Sequence, residues 1–264
     1  MLSYEFMQRA FIVAILISIL IPCIGLVLVM RRYAMLGDAL SHVALAGVCY
    51  GILAGWNPTI GAICFCVLAS FMVSFIGRNM KYNKEIAIAI ILSLGVGISG
   101  ILSSFISSQV NLNSFLFGSI VAISDQEFAT IILLAISVLC IFFYGYDYFM
   151  FYAFDDQEAK RMGVPIRFVD ILYTFMVGIT ISISARIVGA LIVSSLLVIP
   201  AACGLILGNS YRSTMMYAIV LSLAFMIIGL SISYYLDLRP GGSIILLSCI
   251  CYMAVLILRK YHKS

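Results

Sequence analysis

The chain has 264 residues, of which 64% are hydrophobic and only 10% charged, with a mean hydropathy of +1.19 and a formal net charge of +4. Soluble domains carry about 25% charged side chains, so this composition excludes a soluble globular protein. It predicts an all-α, polytopic integral membrane protein.

Cutting the chain at charged and Gly/Pro/Asn-rich breaks predicts nine apolar segments: 10–30, 34–54, 58–77, 86–106, 128–146, 168–184, 187–207, 214–235 and 242–258. Most approach the roughly 20 residues that a helix needs to cross a ~30 Å hydrocarbon core. They fill the sequence, so residues 1–264 read as a single transmembrane domain. The first run follows one basic residue, Arg9, and lacks a small-residue cleavage pattern, which reads as a retained helix, not a signal peptide.

Alternating the connections between two sides places Arg31, Arg32, Arg78, Lys81, Lys84, Lys160, Arg161, Arg167, Arg212, Arg259, Lys260 and Lys263 together, and leaves Arg9, Arg186 and Arg239 opposite. Basic residues collect on the cytoplasmic side of membrane proteins. The N-terminus is therefore expected outside and the C-terminus in the cytoplasm. The tightest cut is SISARIVGA around Arg186, where eight full spans plus a broken helix fit as well as nine. The positive charge thus belongs to topology; no nucleic-acid surface is expected.

Two connections are long. Segment 107–127, with polar ends and an apolar middle, is expected to lie outside as a short re-entrant piece. Segment 147–170 is expected inside and gathers Asp155, Asp156, Glu158, Lys160 and Arg161 ahead of Gly163 and Pro165, a helix-stop pattern. Taken alone it fits either a solvated loop or a docking element for a soluble partner.

The stretch MLGDALSH is the chemical anomaly. Asp38 and His42 stand four residues apart, on one face of a helix. An ionisable group within a span costs ~2.5 to 3.5 kcal/mol on insertion scales and by default marks a substrate path or relay facing the protein interior. The bland alternative is a hydrogen-bonded pair that locks two helices. Carboxylate oxygen and imidazole nitrogen both suit divalent ions such as zinc and manganese, but two ligands make only half a site. A twofold homodimer with this helix near its axis would supply four from one patch. Met35 and Cys49 fall on the same helical stripe, Cys49 as the less favoured further ligand.

Little else offers chemistry. The eight cysteines (Cys23, Cys49, Cys64, Cys66, Cys140, Cys203, Cys249 and Cys251) form no CxxC pair, and His262 sits in the C-terminal tail. No G-x-x-x-x-G-K-[ST] loop and no H-E-x-x-H helix occurs, so neither an ATPase nor a zinc-protease reading is supported. Energy for transport would have to come from elsewhere, or the chain would be a self-sufficient secondary transporter or channel with Asp38 and His42 as a cation relay.

The stretch MRRYAMLGDALSHVALAGV closely resembles the signature region of the membrane permease subunits of bacterial zinc and manganese ABC importers, which carry a G-D-A-x-S-H motif. The resemblance continues in KEIAIAIILSLGVGISG, FDDQEAKRMGVP, ARIVGALIVSSLLVIPAACGLIL and DLRPGGSIILL, in order along nearly the whole chain. It implies a homodimeric permease of the bacterial plasma membrane, driven by two cytoplasmic ATPase subunits and fed by an external metal-binding protein. No permanently bound cofactor is implied; the metal is cargo. Asp38 and His42 fall on the motif residues linked to metal, and Asp155, Asp156, Glu158, Ala159 and Gly163 fall in the segment that would couple to the ATPase. RIVGALIVSSLLVIP looks more like the zinc-type members. Ala46 stands where the family usually has proline after the histidine, which predicts a less kinked helix.

Overall fold

The computed structural model describes residues 5–79, 84–106, 115, 125–236 and 240–262. Among these, eleven helices run in order: α1 Glu5–Met30, α2 Met35–Leu53, α3 Pro58–Asn79, α4 Lys84–Ser104, α5 Asp125–Tyr144, α6 Tyr146–Phe154, α7 Asp156–Arg161, α8 Ile166–Ile187, α9 Ala190–Leu207, α10 Tyr211–Leu236 and α11 Pro240–His262. Eight are long and apolar enough to cross a membrane, and the shorter apolar run Ile192–Leu207 lies within α9. An all-helical bundle meets the demand of a bilayer, because a helix satisfies its backbone N–H and C=O groups within its own segment.

The helices α1, α2 and α8 form the most enclosed part of the bundle, and α11 the most open. Around that centre, α2 packs on α3 and α4, α3 on α8, and α10 on α1, α9 and α11. The break expected near Arg186 is a two-residue turn, Val188 and Gly189, between α8 and α9. Gly189 has φ +106°, a conformation in which a side chain would clash with the adjacent carbonyl. Among the described residues nine apolar helices therefore replace the nine apolar segments, with ends shifted by a few residues. Of the expected external piece 107–127, residues 107–114 and 116–124 lie outside the described residues; its far end, from Asp125, already belongs to α5.

Segment 147–170 resolves into structure instead of loop. Helix α6 follows α5 after a turn at Gly145, the chain breaks at Asp155, and α7 is a short charged helix. Its end is a hydrogen-bonded stop: Gly163 N–H donates to Lys160 O at 3.1 Å and Val164 N–H to Ala159 O at 3.0 Å, with Gly163 at φ +80°. This is the Schellman pattern, and glycine is the residue that enters it without strain.

Candidate metal pathway and coupling strap

Helix α2 is set into the bundle by small residues. A Cβ placed on Gly47 would lie 2.5 Å from the Gly61 carbonyl oxygen of α3, and one on Gly95 of α4 would lie 2.9 Å from the backbone nitrogen of Val43. Such close crossings hold membrane helices together by van der Waals packing, where no hydrophobic force acts between them. With α3 and α4 pressed so near, twelve of the nineteen residues of α2 are buried.

The residues of α2 left partly open include Met35, Asp38, His42, Leu45 and Ile52. Spaced by three, four, three and seven, they form one stripe along the helix. The acid and the histidine thus lie on the face that the chain leaves open. Asp38 occupies the first turn of α2, where the positive end of the helix dipole favours an anion. The neighbouring Ser41 hydroxyl turns inward and donates to Gly37 O at 2.8 Å.

Cys49 falls on the same angular stripe but is fully buried by its own chain, so the thiol is not presented beside Asp38 and His42. Ala46, at the family's proline position, is also buried and lines an apolar cavity with Val43, Phe65, Leu68, Ile91 and Leu94. Helix α2 runs through that point as continuous α-helix. Among the described residues no three His, Cys, Asp or Glu side chains come together. One copy of the chain offers two candidate ligands on one face, not a closed site.

The residues expected to couple to an ATPase differ in placement, with the Asp156 side chain outside those described. The Asp155 carboxylate accepts from Gln157 N–H at 2.5 Å and caps α7, which satisfies one of the orphan amide donors of the first turn. Glu158 is exposed, whereas Ala159 is wholly buried and seats the short helix on the bundle. Gly163 acts through its backbone. The polar rim open to a partner is formed by Gln157, Glu158, Lys160 and Arg161, with Met162 beside it.

Two polar clusters had no counterpart in the sequence analysis. At the α3, α5 and α8 ends, the buried Glu127 carboxylate accepts from Thr59 Oγ1 at 3.0 Å and pairs with Arg186 Nη2 at 3.4 Å. At the opposite ends, Arg31 of the α1–α2 junction donates through Nη1 to the Tyr152 carbonyl at 2.5 Å, and its guanidinium carbon lies 3.8 Å from the centre of the Tyr152 ring. The Tyr152 hydroxyl donates to Asp170 Oδ1 at 2.5 Å. Burial pushes the Tyr152 hydroxyl well above the usual tyrosine range, so it remains a donor. Tyr173, one turn beyond Asp170, donates to Ile24 O of α1 at 2.8 Å. The only sequence signal for this cluster is an acid, Asp170, within one turn of a tyrosine at the start of an apolar run.

An open Asp/His stripe on a buried helix, with a charged strap beside the bundle, is the layout of a transport subunit. The comparisons agree. The chain matches the family described as the ABC 3 transport family over residues 3–259, and it belongs to that family. It is 36% identical over 266 residues to a Treponema pallidum protein named "Probable metal transport system membrane protein", covering all of this chain and 99% of that one. The manganese import system permease protein ScaB of Streptococcus parasanguinis is 30% identical, with 99% of this chain and 94% of that protein covered. Among solved structures, PsaBC from Streptococcus pneumoniae in complex with Fab superposes with a TM-score of 0.84 at 27% identity, covering 96% of this chain and 91% of that one. The protein is a multi-pass permease subunit of a bacterial plasma-membrane metal ABC transporter, and ATP hydrolysis resides in a separate subunit.

Proposed function

We propose that the chain is one half of a homodimeric import pathway for a divalent first-row metal ion, with Asp38 and His42 from each copy forming the ion's stepping site. One observation carries the reading: both groups lie on the stripe of α2 that its own chain leaves open. A second copy facing that stripe would bring the ligand count to four, and an ion held by so few fixed groups is readily released. The basic-residue asymmetry supports an external N-terminus and cytoplasmic α6 and α7. On that orientation α2 runs outward, and its first two turns stand toward the cytoplasm. An external binding protein delivers the ion, and the ATPase docks at the exposed rim of α7.

The lean of RIVGALIVSSLLVIP toward zinc-type members meets a relative named for manganese at 30% identity. Donor chemistry supports manganese as well. With Cys49 covered by its own chain, the two candidate ligands are a carboxylate and an imidazole, and the hard carboxylate oxygen suits manganese. Manganese is the proposed cargo, zinc the competitor.

Purified permease reconstituted with its ATPase and binding protein in vesicles tests this. ATP-dependent accumulation of manganese is expected. ATP-independent uptake by the permease alone would instead establish a secondary transporter.

A further inference from the structure

The strap that carries the proposed ATPase-docking rim is bound to the junction that leads into the helix carrying the proposed metal pair. Tyr152 lies three residues before Asp155, the cap of α7, and Arg31 lies seven before Asp38. Arg31 grips Tyr152 twice, by its hydrogen bond to the carbonyl and by stacking on the ring. Stacking of guanidinium on an aromatic face adds attraction to the bond. Asp170 of α8 then holds the Tyr152 hydroxyl. Three side chains thus join the strap, the α1–α2 junction and a central helix.

The junction itself is held in an unusual state. Arg32 N–H donates to Val29 O at 3.1 Å and Tyr33 N–H to Leu28 O at 2.8 Å, the same pattern that ends α7, yet here the left-handed position is Arg32 at φ +62°. A non-glycine residue persists in that region only where its surroundings impose it. Arg31, locked on Tyr152, is the adjacent constraint. A small cavity lined by Tyr33, Leu36, Tyr152, Asp170 and Tyr173 borders the start of α2.

We propose that Arg31, Tyr152 and Asp170 are positioning residues for transport: they form the link through which movement of the α6–α7 strap reorients α2 and its Asp38/His42 face. This rests on the reading of α7 as the ATPase-docking element. The three residues touch neither ion nor ATP; their role is to tie hydrolysis to movement of the pair.

The test uses the whole transporter in vesicles and reads metal accumulated per ATP hydrolysed. Tyr152→Phe keeps the ring and the carbonyl that Arg31 grips and deletes the hydroxyl. It is expected to assemble with the ATPase and hydrolyse ATP at the parental basal rate, with the transport-to-hydrolysis ratio falling about tenfold, the scale of one hydrogen bond to a charged group. Asp170→Ala should lower the ratio at least as much, and adding Tyr152→Phe to it should cost little more, because the hydroxyl has already lost its acceptor. A parental ratio in Tyr152→Phe, a parallel loss of uptake and hydrolysis, or additive losses in the double variant would each overturn the link. Glu158→Arg serves as the reference for the docking reading: if it leaves ATPase assembly intact, that reading fails on its own, whatever Tyr152→Phe does.

Discussion

Gly47 of α2 and Gly61 of α3 meet backbone to backbone, with the site of a Gly47 Cβ only 2.5 Å from the Gly61 carbonyl oxygen. This contact fixes the rotation of α2, and so determines that Asp38 and His42, not their neighbours, remain on the open face.

Gly47→Val is expected to force the two helices apart and destabilise the permease by about 1 to 3 kcal/mol, the usual range for overpacking. Thermal unfolding in detergent measures the loss. Gly97, which has open space where its Cβ would go, provides the control: Gly97→Ala should leave the midpoint unchanged or raise it, since glycine is the weaker helix former.

Asp155 tests whether the strap acts by shape or by charge. Asp155→Asn retains a cap for α7 and should preserve ATPase assembly, whereas Asp155→Ala loses the bond to Gln157 N–H, worth about 1 kcal/mol in a helix cap. Quantitative pull-down of the ATPase subunit should rank the parent and Asn together and Ala lower. Equal loss in both variants would assign the carboxylate to direct ATPase contact.

Replacing Arg32 by glycine should stabilise the chain or leave it unchanged, because the left-handed conformation at φ +62° costs an ordinary residue about 1 to 2 kcal/mol. A fall in the unfolding midpoint would mean that the exposed Arg32 side chain makes a contribution larger than the strain.

The membrane bundle was legible in the sequence because hydropathy alone dictates helices where backbone groups have no water to bind. The pair Asp38 and His42 was legible for a related reason: ionisable groups stand out against an apolar background. Their common face followed from the four-residue spacing, but the burial of Cys49 did not. Angular position places Cys49 on the same stripe, and only packing within the chain decides that it is covered. Asp155 and Ala159 were legible as members of a charged strap, not as a cap and a buried seat. The links from Glu127 to Arg186 and from Tyr152 to Asp170 join residues far apart or on different helices, and no local pattern announces such pairs.

The central claim is that metal crosses at Asp38 and His42. It is tested most directly by metal uptake into vesicles containing the complete transporter with Asp38→Ala or His42→Ala, alongside the amount of ATPase that copurifies. The account predicts that each variant abolishes uptake while ATPase assembly remains at the parental level. Full uptake by both variants would contradict it and leave the pair with a purely structural role.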